Sequence, residues 1–309
     1  MADVAELQAL GHVFFNVLGP IALLVAIGYG LQQRLQLDTR SLSRVVFFVL
    51  TPSLIFTSIL SLEIDAGTIG RTLLFAAADM AIMGLIAALL ARRWGYDTRL
   101  AGAFVVTAIL LNDGNYGLPL NLFAFGETGF GYALVLFMFN NLVGNTLSIF
   151  ILAHGQNGLR QAVWRTLTAP VVWAMLLGFG ARLAGVQPSG SFFTMLQMTG
   201  RSAIPVFLLI LGMTLTQTRA RLGNNPITRL TVLRMLGGPA LAILLARGVG
   251  LTGLPFAVAV LQASMPTAVN TIVLSNEFDA SPHFVAGAVL FTTLASLVTL
   301  PVLLLFLSP

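Results

Sequence analysis

The chain has 309 residues, 57% of them hydrophobic and only 9% charged, with a formal charge of +5 and a mean hydropathy of +0.92. Soluble domains carry roughly 25% charged residues, so this composition excludes an ordinary soluble enzyme or binding module and indicates an integral membrane protein. The basic balance comes from 16 arginines and no lysine, placed between apolar runs. That pattern orients a membrane protein in a lipid bilayer; no nucleic-acid partner is expected.

With no cysteine, disulfides, thiolate metal sites and iron–sulfur clusters are excluded. The first ten residues hold Asp3 and Glu6 and no basic residue, and are not expected to be a cleavable signal peptide. About ten spans of roughly 20 residues are predicted. They cover 11–32, 42–61, 72–91, 101–125, 130–153, 169–185, a seventh within 192–215, then 230–251, 254–276 and 284–307. Polar connections at 154–168 and 218–229 are the longest soluble-looking stretches, and no large soluble domain is present.

The fourth run is interrupted by Leu111-Asn-Asp-Gly-Asn-Tyr-Gly-Leu-Pro-Leu-Asn121, and the ninth by Gln262-Ala-Ser-Met-Pro-Thr-Ala-Val-Asn-Thr271. Glycine and proline loosen or forbid the helical ladder, and lipid tolerates such a break only where protein or a wet cavity surrounds it. Paired interruptions in two halves point to a transporter's binding site. Pro52 and Pro205 are 153 residues apart, as are Phe125 and Phe278, and Gly28-Tyr-Gly30 echoes Gly178-Phe-Gly180. Five spans being an odd number, the halves 1–153 and 154–309 must enter the membrane from opposite sides. The predicted fold is an all-α membrane protein, a five-plus-five inverted repeat with broken crossover helices four and nine.

Each break restarts a helix whose first N–H groups and positive dipole end are unpaired, with Pro119 and Pro266 expected just inside the new starts. Two such starts facing one pocket favour an anion. Asn141, Asn145 and Ser148 recur at helical spacing in the fifth span, so a polar stripe should face the fourth-span break while Asn140 points elsewhere. The amides have a plainer alternative as interhelical glue. Asp113 in the break and Asp79 in the third span could each take up a proton or bind a cation; their alternatives are a half-helix cap and a structural hydrogen bond.

The sequence Asn112-Asp-Gly-Asn115-Tyr-Gly117-Leu-Pro119 followed by Phe125-Gly126-x-x-Gly129 resembles the fourth-span motif of the auxin efflux carrier family. Met265-Pro266, Asn276-Glu277-Phe278, Thr299-Leu-Pro301, and Ala203-Ile-Pro205 through Leu211-Gly-Met213 are similar to its later spans. The resemblance covers the chain and implies the fold of the wider bile acid/sodium symporter superfamily. In that fold a scaffold of spans 1, 2, 6 and 7 stands beside a moving core of spans 3–5 and 8–10. It further implies a homodimer through the scaffold and, from bacterial relatives, a malonate-like or other organic acid substrate. The long loop of the plant carriers between spans five and six is missing.

The expected function is secondary transport of a small organic anion, by an elevator-type movement. Alternatives are a sodium- or proton-coupled symporter of a bulkier substrate and a non-transporting receptor. The expected substrate site comprises Asn112, Asn115, Tyr116, Gly117, Pro119, Asn141, Asn145, Met265, Pro266, Thr267 and Asn270. Ion or proton coupling falls to Asp113, Asp79 and Gln262. Arg201 is expected to snorkel at the outer interface. His12, His154 and His283 form no ligand cluster, and neither cofactor nor metal is expected. Gly248-Val-Gly250-Leu-Thr-Gly253 has the letters of a dinucleotide loop but ends a membrane span with no strand before it. No His-Glu-x-x-His or Gly-x-Ser-x-Gly occurs, so no hydrolase is expected.

Counting arginines, Arg34, Arg40, Arg44, Arg92, Arg93, Arg99, Arg160, Arg165, Arg219, Arg221, Arg229 and Arg234 fall on one side. Arg71, Arg182, Arg201 and Arg247 fall on the other. Both termini are therefore expected outside the cytoplasm, in a cell membrane of bacterial inner-membrane type.

Overall fold

The structure is a computed structural model that describes residues 11, 13–61, 64–153, 158–217 and 225–307. Asp3, Glu6, His12, His154, Arg219 and Arg221, on which parts of the sequence reading rest, lie outside the described residues. The described residues are helical, with no strand among them. In chain order the helices are α1 (Phe15–Leu35), α2 (Thr39–Leu60), α3 (Ala66–Arg93), α4 (Thr98–Ile109), α5 (Asp113–Leu152) and α6 (Gly158–Thr168). They continue as α7 (Pro170–Leu183), α8 (Gly190–Thr216), α9 (Asn225–Gly248), α10 (Gly253–Ala263), α11 (Asn270–Glu277) and α12 (Pro282–Leu307).

Seven of these, α1, α2, α3, α5, α8, α9 and α12, are long and apolar enough to cross a membrane, and the bent pair α6–α7 can count as an eighth. The difference from ten is local. α4 and α10 are apolar but have 12 and 11 residues, about 18 Å of helix against a hydrocarbon core of about 30 Å. α5 runs on for 40 residues, yet Gly126 (φ 66°, ψ −164°) turns the chain inside it. That backbone conformation is open to glycine and strained for other residues.

Three of the acids between spans act as helix caps. Asp38, Asp65 and Asp97 accept hydrogen bonds from Arg40 N, Thr68 N, and Arg99 N with Leu100 N at the starts of α2, α3 and α4. Large apolar side chains such as Phe15, Leu183 and Phe306 face outward. Asp79, Asn112, Asp113, Asn121, Arg234 and Gln262 are buried, and this inversion of the soluble pattern is what lipid as solvent demands.

Two groups of helices pack internally. α1 lies on α8, and α2 on α7 and α8; on the other side α3 meets α4, α5, α9 and α10, α5 meets α10, and α9 meets α12. The first group is joined through small residues. A Cβ on Gly28 or Gly212 would run into the backbone of Leu209 or Val25 across the α1–α8 contact, and one on Gly200 into the backbone of Leu54. Gly212→Ala is therefore expected to cost about 1–3 kcal/mol by overpacking. Gly30→Ala, where a Cβ meets nothing within 4 Å, should be neutral or slightly stabilising. Thermal unfolding of the two variants in detergent checks the contrast, and equal melting temperatures would remove close backbone approach as the reason for glycine at 212.

Side-chain contacts fix which helix ends lie together. Arg99 pairs with Asp279 and Arg165 with Glu277, joining the start of α4, the end of α6 and the α11–α12 connection. At the opposite end Arg71 Nη1 donates to Gly250 O at 3.3 Å, and Arg201 pairs with Glu127 at 3.1 Å. The acids of the α11–α12 connection, which lend nothing to the arginine count, are thus matched by arginines at the arginine-rich end.

Candidate functional site: two paired helix breaks beside a polar cavity

α10 stops at Ala263 because Pro266 has no N–H for the carbonyl of Gln262, and Met265 N takes that carbonyl instead at 3.2 Å. α4 stops at Ile109, where Leu110 turns extended (φ −85°, ψ 115°). The two interruptions then lie antiparallel, Leu111 against Thr267. Asn112 N donates to Pro266 O at 2.8 Å and Ala268 N to Leu110 O at 2.9 Å. Thr267 N finds Thr292 Oγ1 at 3.1 Å, and Thr267 Oγ1 donates to Thr107 O at 2.8 Å. Backbone groups freed in one break are satisfied by the other, as an apolar surrounding requires.

The first break restarts as a π-helical turn, Asp113–Gly117, before Pro119 enters in the first turn of regular helix. The second restarts only at Asn270, so Pro266 lies ahead of the new helix and not within it. Its part is to end α10 and offer its carbonyl across the bridge. Close approaches require the glycines here: a Cβ on Gly114 would come within 2.6 Å of the Phe137 ring, and one on Gly117 within 2.5 Å of Gln262 Oε1. The buried Gln262 amide donates to Asp113 O (3.1 Å) and Ala133 O (3.4 Å) and accepts from Asn121 Nδ2 (2.7 Å), which also donates to Gly117 O (2.8 Å).

Beside the breaks opens a cavity of about 570 Å³, within the usual range of roughly 300–1,000 Å³ for small-molecule sites. Asn112, Asp113, Asn115, Asn140, Asn141, Asn145 and Asn270 line it, together with Phe47, Phe48, Thr51, Phe207 and Ile210 from α2 and α8. Asn112 is 3% exposed and its Nδ2 has no hydrogen-bond partner. Asn270 Nδ2 donates to Asn145 Oδ1 at 3.0 Å, and Asn145 Nδ2 to Asn141 O at 3.2 Å, so α11 and α5 share one amide chain along the wall.

Asn140 does not point elsewhere: its Nδ2 donates to Asp113 Oδ2 at 2.6 Å. A π-helical turn at Asn140–Gly144 widens the helix there, so regular 3.6-residue spacing misassigns the face. Ser148, predicted on the same stripe, is fully buried outside the cavity lining. Asp113 is a cavity-wall residue at the first position of the restarted turn, its carboxylate held by Asn140.

Other predicted residues are close by but outside the lining. Tyr116 is buried; Met265, Pro266 and Thr267 are taken up by the bridge and by Arg234; Gly117 and Pro119 shape the turn. Asp79 is buried with Oδ1 unpartnered, beside a void of about 20 Å³ that Asn140 and Gln262 also line. About one water fits a space of that size.

The cavity mouth carries Arg40, Arg44 and the Arg165–Glu277 pair. The hydrogen bond from Arg165 holds the Glu277 carboxyl below its usual range. At the far end of α2, a second cavity of about 590 Å³ is lined by Thr57, Ser58, Ser61, Gln197 and Arg201. Arg201, predicted to snorkel, keeps an exposed side chain there in its pair with Glu127.

Arg234 is the residue that reading by charge count missed. Counted with the arginines of the connections, it is fully buried in α9, and its signal was its place inside the eighth apolar run. Among the described residues no group of three histidines or acids could hold a metal.

The family described as "Membrane transport protein" matches residues 154–304. An uncharacterized transporter of Methanothermobacter thermautotrophicus is 33% identical over 288 residues, 91% of this chain and 94% of that protein. An uncharacterized transporter of Methanocaldococcus jannaschii is 23% identical over 269 residues, 84% of this chain and 86% of its own. Auxin efflux carrier component 1 of Arabidopsis thaliana is 31% identical over 101 residues, 33% of this chain and 16% of the plant protein. A whole-length match at this identity, on a polytopic helical chain with paired intramembrane breaks, makes this a transporter and not an enzyme, and the chain belongs to the membrane transport protein family that includes the auxin efflux carriers.

Proposed function

We propose that the chain is a secondary carrier of a small organic anion, bound in the cavity beside the two breaks. The unpartnered, buried Nδ2 of Asn112 in the cavity wall carries this reading. A buried donor without a partner is costly, and a carboxylate oxygen would satisfy it. Asn115, Asn141, Asn145 and Asn270 supply further amides, the phenylalanines of the lining cover the carbon part, and Arg40 and Arg44 at the mouth attract negative charge. Half-helix N-termini add their dipoles to the same wall.

The fold we propose for this carrier is the inverted repeat of 1–153 and 154–309. Dividing α5 at Gly126, joining α4 to 113–125 and joining α10 to α11 yields ten spans. The antiparallel bridge between the breaks supports a crossing of spans four and nine. The helix group α1, α2, α7 and α8 would be the scaffold and dimer surface, against which the rest moves as an elevator, carrying the site between the two cavities. The arginine-rich end, where the amide-lined cavity opens, would be cytoplasmic and both termini outside, in a bacterial inner membrane.

Coupling in this reading is to protons, with Asp113 as the titrating group and Asp79 and Gln262 behind it. An ionised Asp113 would repel an anion in the same cavity, so substrate binds when Asp113 carries a proton. Uptake of labelled malonate and indole-acetate by proteoliposomes tests this directly. Anion affinity should rise as pH falls, and Asp113→Asn should bind tightly at every pH with the slope abolished. A variant that keeps the parent's pH slope would remove Asp113 from the coupling, and absence of saturable flux for any organic acid would sink the carrier reading.

A further inference from the structure

Buried charge inside a membrane protein needs a partner, and that of Arg234 is not chiefly an acid. Its guanidinium donates to the carbonyls of Ala108 (Nη1, 3.3 Å), Ala263 (Nη2, 2.5 Å) and Met265 (Nη2, 3.0 Å). Ala108 lies in the last turn of α4, Ala263 is the last residue of α10, and Met265 follows it in the break. One cation therefore closes the C-terminal ends of both half-helices that run into the breaks. Each such end carries about half an elementary negative charge, so two of them balance one guanidinium. Gly238, within 3.3 Å of Nη1 for a built Cβ, leaves the room the group needs. Asp79, buried in α3, is the acid that interacts with it electrostatically, without forming an ion pair within 4.0 Å.

Unwound carbonyls and half-helix C-terminal ends are the groups that hold sodium in ion-coupled carriers with discontinuous helices. Here the same kind of groups is filled by a side chain. We propose that Arg234 is a tethered cation that takes the place of a bound sodium ion at the paired breaks, so that the core is assembled, and transport proceeds, without sodium. Arg234 acts through the backbone that carries Asn112 and Thr267 and is a positioning residue, with no contact to substrate required. The inference rests on the transporter reading but not on the identity of the substrate.

The test measures melting temperature of the purified full chain, and flux in proteoliposomes, with sodium replaced by choline at constant ionic strength. The parent should show no saturable sodium response in either. Arg234→Ala should melt lower by roughly 5–15 °C and recover part of that loss, saturably, with millimolar guanidinium or sodium but not choline. Arg234→Lys should fall between the two. A saturable sodium shift in the parent, or an Arg234→Ala protein that melts like the parent and ignores added cations, would overturn the inference. Should Arg234→Ala fail to fold, the parent comparison and the neutral, larger Arg234→Gln still decide it: a sodium-dependent parent, or a glutamine variant that melts like the parent and ignores added cations, counts against the tethered cation. Cation rescue of melting without any carboxylate binding would refute the anion reading while leaving Arg234 in its role.

Discussion

Asn112→Ala is expected to weaken binding of the transported anion about 10- to 150-fold, the equivalent of roughly 1.5–3 kcal/mol for a lost hydrogen bond to a charged group. The backbone of Asn112 is already committed to the bridge through Pro266 O, and its Nδ2 is without an internal partner. Truncation therefore removes the ligand's donor and leaves the break intact, so the melting temperature without ligand should stay near the parent's. Asn112→Asp separates charge from size. An added carboxylate in the cavity wall should repel the substrate, weakening binding beyond the alanine variant at neutral pH. Ligand-induced thermal stabilisation measures both. Equal stabilisation of parent and Asn112→Ala would remove this side chain from the site, and an aspartate variant binding better than alanine would argue for a cationic substrate.

The second large effect is a non-additive one, at Gly117 and Gln262. A Cβ on Gly117 would collide with the Gln262 amide, and that amide holds together Asp113, Ala133 and Asn121. Gly117→Ala should cost about 2–4 kcal/mol by overpacking and by displacing buried hydrogen bonds. Gln262→Ala should cost about 2–5 kcal/mol, because it leaves buried polar groups without partners. With Gln262 already shortened, the methyl at 117 has room. The double variant should then lie close to Gln262→Ala alone, a coupling as large as the Gly117→Ala loss itself, about 2–4 kcal/mol. Additive losses in thermal unfolding would mean that the two positions do not meet.

Membrane residence and the two interruptions were legible because they are local properties. Apolar runs bounded by arginine set where the chain can sit in lipid. Gly114, Gly117, Pro119 and Pro266 mark where a helical ladder must loosen, whatever surrounds them. Asn112, Asp113, Asn141 and Asn145 were found because amides and acids stand out in such runs, and they line the cavity. Regular 3.6-residue spacing turns Asn140 away from the break, because it carries no sign of the π-helical turn that changes the angle between residues there. Position in the sequence puts Pro266 just inside the new helix, whereas the helix resumes at Asn270, since the intervening residues bond across to the other break.

Arg234 marks the boundary most clearly. Sequence alone decides that this chain dwells in a bilayer, that its ladder fails at two places, and which polar residues lie near those failures, because each depends on the chemistry of one short stretch. Only the tertiary structure decides who satisfies whom: Asn112 with Pro266, Gln262 with Asn121, and Arg234 with both arriving helix ends. Those pairings join segments widely separated in sequence. Each freed donor or acceptor in lipid takes whichever partner folding brings within about 3 Å, and no property of its own neighbours in the chain specifies that partner.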